Sequence, residues 1–242
     1  MNESIQSPPS TPNSSASDAA DSPEALAIAL HQASAKKQQQ QIDALLQSGQ
    51  TQALVLFLNQ HEGVATAPVG QVLQAFAQSR PAALSEADWQ NRVTALVPLH
   101  SDRDIDYGPL RDCLLNQAFE QADRLTLEKL CELAGSTAVA RKWLYFSEVG
   151  QFPTADLKTI DFLWRIFSQE RFGFSVQREL WLGVGQDWER LWPKIGWRDE
   201  TWTRYPEGFT WSLAAPRGHL PLSNQLRGVR VMAALMNHPA WR

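Results

Sequence analysis

The stretch DYGPLRDCLLNQAFEQADRLTLEKLCELAG, residues 106 to 135, decides the fold. Leu110, Leu114 and Leu115 form one helical stripe, and Leu127, Leu130, Cys131 and Ala134 form another, at three- and four-residue steps. Gly135 follows the second stripe and fits the end of a helix, because glycine takes left-handed backbone angles without steric cost. Two consecutive amphipathic helices are predicted. Cys131, in step with its leucine neighbours, reads as a small core residue.

The same period continues outward in both directions. Downstream, Thr154 is placed to cap a helix bearing Leu157, Ile160, Trp164 and Phe167, and Ser175 to cap one through Val176, Leu180 and Trp181. Asp187 opens a helix with Trp188, Leu191 and Trp192, with Pro193 as its stop. Ser223 or Asn224 opens the last helix, through Leu226, Val229, Ala233 and Met236, ending before Pro239. Upstream, short stripes recur at Leu26/Leu30, Ile42/Leu45, Leu54/Leu58 and Val69/Phe76. Ser85-Glu86-Ala87-Asp88 resembles a capping box ahead of Trp89, Val93 and Leu96. The Gln run at 38–41 reads as a solvated helix face. Few stretches alternate with period two, so the predicted fold class is all-α.

Three parts are expected. Residues 1–22 are rich in Ser, Pro, Thr and Ala with almost no large apolar groups, too little to offset the entropy of ordering, and read as a disordered tail. Residues 23–100 form a small helical bundle or repeat-like domain, starting at Ser22-Pro23-Glu24. Pro98 and the polar Ser101-Asp102-Arg103-Asp104 mark a linker, and residues 101–242 form a helical core.

Composition narrows the function. The 242 residues carry a net charge of -4, which disfavours a polyanionic partner because phosphate neutralisation needs clustered Lys and Arg. The two cysteines suggest neither a metal pair nor a disulfide framework. No apolar run matches a membrane span or a signal-peptide core. A cytoplasmic monomer is expected, with peripheral contact at a membrane left open. No nucleophile–base set and no phosphate-cradling glycine loop stand at a recognisable spacing, so an enzyme is not expected.

Ten tryptophans are present, and nine follow position 140. The region from Trp197 to Pro221 lacks a long helical period yet carries Trp202, Tyr205, Phe209 and Trp211 among prolines and glycines. Such rings either pack on a core or line a site. No Asp or Glu follows Glu207, whereas Arg217, His219, Arg227, Arg230, His238 and Arg242 do. Arg227 and Arg230 stand three apart, with Asn224 three residues earlier. Aromatics rimmed by arginines suit a flat apolar ligand with carboxylates, which the guanidinium fork pairs in two-point geometry. These arginines could equally bind acids elsewhere in the protein. A single-stranded nucleic-acid binder uses similar residues, but the acidic balance counts against it.

The runs FGFSVQRELWL (172–182), LWPKIGW (191–197), WTRYPEGFTWSL (202–213) and PRGHLPLSNQLRGVR (216–230), with CELAG (131–135) and WLYFSEVGQFP (143–153) upstream, resemble the genomes-uncoupled family of tetrapyrrole-binding proteins. The resemblance covers roughly residues 105 to 241. It implies an all-helical, palm-like core without an intrinsic cofactor, binding protoporphyrin IX and its magnesium complex. It also implies a regulatory partner, the large porphyrin-binding subunit of magnesium chelatase, and so a place in chlorophyll synthesis, with peripheral thylakoid contact open. Matching cavity and rim positions are Phe146, Trp202, Tyr205, Phe209, His219, Asn224, Arg227 and Arg230. Tyr205 stands where some relatives have Trp. No metal ligand is expected.

Overall fold

The computed structural model describes residues 22–222 and 229–242, and within them the chain is all-helical. Thirteen α-helices and a closing 3-10 turn at Pro239–Trp241 are present among the described residues. Apart from an isolated bridge between Arg198 and Trp202, no strand pairing occurs there. The described residues divide into two compact units, one ending at His61 and the other beginning at Glu62.

The first unit contains α1 (Pro23–Gln32), α2 (Ala35–Gln47) and α3 (Thr51–Gln60). Ser22 caps α1 by accepting the Ala25 N–H, and Pro23 occupies the first turn, where its missing donor costs nothing. Ala27, Leu30, Ile42, Leu45, Ala53, Leu54, Phe57 and Leu58 fill the centre. Gln38 is more than a solvated side chain, since its amide donates to Leu30 O at 2.9 Å and ties α2 to α1.

The second unit begins earlier than the boundary expected at residue 101. Its first helices are α4 (Ala67–Gln78) and α5 (Glu86–Leu96), and α4 packs against the core. A Cβ on Gly70 would lie 2.3 Å from Ile166 O, so only glycine permits this approach. Gln74, buried, donates to both Leu114 O and Phe167 O at 2.8 Å. The segment expected as a linker is pinned rather than loose. Asp156, fully buried, accepts from Ser101 Oγ at 2.5 Å, Asp102 N at 3.0 Å and Tyr107 OH at 2.9 Å.

The core helices follow as α6 (Gly108–Leu115), α7 (Phe119–Ala134), α8 (Ser136–Arg141), α9 (Phe146–Val149), α10 (Thr154–Ile166), α11 (Phe174–Gly183), α12 (Trp188–Lys194) and α13 (Val229–Met236). Gly135 ends α7 at φ 102°, as expected, and α8 starts at the next residue. Phe119, Trp164 and Phe172 form the centre, and the Trp164 indole donates to Thr126 Oγ1 at 2.9 Å.

Three expected helix signals act differently. Pro153, not Thr154, holds the cap position of α10. Ser175 lies inside α11 rather than at its cap. Asp161 of α10 reaches across to it, accepting Ser175 N at 2.8 Å and Ser175 Oγ at 2.6 Å, so α11 is capped from another helix. Asp187 does cap α12, accepting from Glu189 N and Arg190 N, but Pro193 sits within that helix, which runs to Lys194. The start expected for the last helix, Ser223 or Asn224, lies outside the described residues. Its described part is α13.

Candidate functional site

The buried stripe of α7 runs through Phe119, Ala122, Thr126, Leu130 and Leu133. Beside it, Asp123, Arg124, Leu127, Glu128, Cys131 and Glu132 recur at the same helical spacing and line a cavity of about 520 Å³. That volume falls within the roughly 300–1,000 Å³ typical of small-molecule sites. Val139 of α8, Lys142 just after it, Tyr205 and Leu222 complete the described lining. Lys142 adopts a left-handed conformation at φ 60° where it ends α8, and its side chain is exposed.

The lining mixes apolar surface with charge. Leu127, Cys131, Val139 and Leu222 supply apolar atoms, and burial pushes the Cys131 thiol up to about 11, which keeps it protonated and unreactive. Glu132 is paired with Lys129 at 3.0 Å, and Arg124 with Glu120. Tyr205 is close enough to Arg124 to favour its charged form, after Glu120. Asp123 is buried, and its Oδ1 accepts the Leu222 N–H at 2.6 Å. Burial raises its carboxyl to about 7, partly offset by the Leu222 N–H and by Arg124.

Among the expected site residues, Tyr205 lies on the cavity wall. Its ring neighbours Phe209 at 6.4 Å and meets Trp211 edge-on at 6.0 Å. Phe209 and His219 pack together at 5.3 Å, both buried and away from the described lining. His219 Nδ1 bonds to Ile195 O at 2.6 Å, and its Nε2 accepts Thr210 N at 3.2 Å. Both ring nitrogens are used, and burial holds the imidazole below its ordinary pKa, so it is a neutral strut of the loop.

Trp202 joins a different group. Trp181, Trp188, Trp192 and Trp197 stack successively at 4.9, 5.2 and 5.6 Å, and Trp202 meets Trp192 at 5.5 Å. Phe146 is half exposed at the start of α9, with the Arg230 guanidinium over its ring at 5.4 Å. Arg217 pairs with Glu179 at 3.0 Å, whereas no acid pairs with Arg230 among the described residues. Asn224 and Arg227 lie outside the described residues.

Sequence reasoning missed Asp123, Arg124, Leu127, Glu128, Cys131, Glu132, Val139, Lys142 and Leu222 as lining. The available signal was Asp123 itself, an acid in step with an otherwise apolar face.

The family model described as GUN4-like matches residues 100–239. The chain belongs to the GUN4-like family. A Ycf53-like protein from Synechocystis sp. is 48% identical over 217 residues, covering 88% of this chain and 93% of the relative. The chloroplastic tetrapyrrole-binding protein of Arabidopsis thaliana is 39% identical over 145 residues, covering 56% of this chain and 55% of that protein. The solved structure of GUN4 from Chlamydomonas reinhardtii aligns with a TM-score of 0.57 at 42% identity, covering 60% of this chain and 96% of that one. No helix among the described residues of this GUN4-like chain is long and apolar enough to cross a membrane.

Proposed function

We propose that the cavity beside α7 binds a porphyrin, protoporphyrin IX or its magnesium complex, and that the chain regulates magnesium chelatase without catalysing a reaction itself. The observation that carries this reading is the cavity of about 520 Å³ in a chain of the GUN4-like family, one of whose relatives is named for binding tetrapyrroles. A porphyrin has two apolar faces and two propionates at one edge. Leu127, Val139, Leu222 and the Tyr205 ring offer apolar contact, and burial at roughly 25 cal/mol per Å² supplies the driving force, less the ordering costs.

Propionates must be paired or stay hydrated, since an unpaired buried carboxylate is costly. Lys142 and Arg230 have no acid partner among the described residues and are the cations offered here, together with Arg227 from the sequence. Phe146, beneath Arg230, is an exposed ring outside the described lining. No group of three or more metal-ligating side chains occurs among the described residues, and a magnesium porphyrin brings its metal already held by the macrocycle. The lining acids Asp123, Glu128 and Glu132 speak against a nucleic-acid strand in this cavity.

The partner in this reading is the large porphyrin-binding subunit of the chelatase. Changing its catalysis requires different affinity for different states of that partner.

Titration with protoporphyrin IX, followed by tryptophan emission, tests the ligand. Saturable quenching at micromolar ligand is expected, with no response to an oligonucleotide. A silent titration overturns the porphyrin site. Adding the protein to an assembled magnesium chelatase tests the second half, and an unchanged rate overturns the regulatory reading while leaving binding intact.

A further inference from the structure

Asp123 is the one buried acid of the described lining, only 7% exposed, whereas Glu128 is exposed and Glu132 half-buried. One oxygen accepts the Leu222 N–H at 2.6 Å, and the other has no partner among the described residues. No salt bridge joins it to a cation among the described residues. On its own helix Arg124 is engaged with Glu120, Lys129 with Glu132, and Glu128 adds a further negative charge. From the packed elements, Lys142 after α8, the Tyr205 hydroxyl and the Leu222 N–H are the charged or polar groups on the same cavity among the described residues. A buried carboxylate in such a setting keeps its charge only through the water that reaches it from the open side.

We infer that Asp123 contacts the bound porphyrin as the neutral acid, so that ligand binding takes up a proton at this residue. The inference rests on the porphyrin site proposed above. An apolar ring seated in the cavity removes water from the free oxygen and raises the cost of charge there. The two ligand carboxylates add like charge, which favours the protonated form again. The proton comes from solvent and settles on the free oxygen. The other oxygen can go on accepting the Leu222 N–H, because a protonated carboxyl keeps an acceptor.

The sign follows from linkage. The acid of the free protein titrates at about 7 because burial raises it, and the complex raises it further. Affinity is therefore full below that value and declines as pH rises through it.

The test is calorimetric titration of the full chain with protoporphyrin IX in buffers of different ionisation enthalpy, beside an affinity profile from about pH 6 to about pH 8.5. The wild type is expected to take up about one proton near the upper limit and to lose up to about thirtyfold in affinity across the range. Asp123→Asn keeps an acceptor for Leu222 but cannot titrate. It is expected to take up no proton at this site and to bind about tenfold tighter than the wild type at the upper pH. The ligand's own carboxylates titrate alike with both proteins and cancel in the comparison. Binding by the wild type with no buffer-dependent heat overturns the inference while sparing the porphyrin site, and this arm does not depend on the variant folding. The same pH profile in both proteins also overturns it, assigning the proton to another group. No binding in any buffer removes the porphyrin site as well.

Discussion

The irregular loop from Trp197 to Pro221 and helix α7 exchange the roles that their sequences suggest. The loop carries five aromatic rings without a helical period, yet Trp197, Phe209 and His219 are buried, and Trp197 and His219 bond its own backbone. The Trp197 indole donates to His219 O at 2.7 Å, and Gln177 from α11 donates to Gly218 O at 3.0 Å and Pro221 O at 2.8 Å. Helix α7 looks like an ordinary core helix, yet its flank supplies six of the ten described lining residues of the cavity. A backbone without helical hydrogen bonds must be fixed by side chains, so aromatic density there reports packing before it reports a ligand. A site on a helix shows instead as an acid where the stripe calls for an apolar residue.

The largest effect that would break this contrast concerns Trp197. Trp197→Ala should lower unfolding free energy by about 3–5 kcal/mol, since the ring is fully buried and leaves a cavity together with an unpaired His219 carbonyl. A denaturant midpoint close to the wild type would show that the loop is not held this way.

Asp123 gives the next effect, and its sign is fixed. Its folded acidity lies at about 7 because burial raises it above the ordinary carboxylate value, so the fold retains a proton that the unfolded chain has released. Relative to Asp123→Asn, the wild type should therefore lose stability as pH rises from about 4 to about 7. Denaturation of both proteins at each end of that window checks it. Parallel curves would contradict the burial that sets Asp123 apart.

The same distinction explains what could be read beforehand. All-helical class followed directly from the leucine stripes, and most helices lie where their stripes run, because that period reflects local geometry. Tyr205, singled out in the sequence among its company of rings, lies on the cavity wall. Asp161, which caps α11 through Ser175, and Gln74, which joins α6 and the end of α10 to α4, were not legible. Their partners lie 14 to 93 residues away in sequence, and no local pattern encodes such a meeting. The second unit's early start has the same origin, since Gly70 is glycine for the sake of the Ile166 backbone.

Smaller effects sharpen the comparison. His219→Ala breaks the bonds to Ile195 O and Thr210 N and should cost about 1–3 kcal/mol, with the loss visible in thermal unfolding. Trp202 is already 51% exposed, so Trp202→Ala should cost less than about 1 kcal/mol. Because the ring sits with Trp192 rather than on the described lining, its removal should weaken porphyrin binding less than a change in α7 does.

The most direct measurement is the protoporphyrin IX binding isotherm of Leu127→Trp and Val139→Trp, which narrow the cavity from two walls. Neither native side chain is fully buried, and thermal unfolding verifies that each variant remains folded. Each is expected to bind at least about tenfold more weakly than the wild type, because a ring in the cavity removes the contact area that drives binding. Wild-type affinity in both folded variants would place the ligand somewhere other than beside α7.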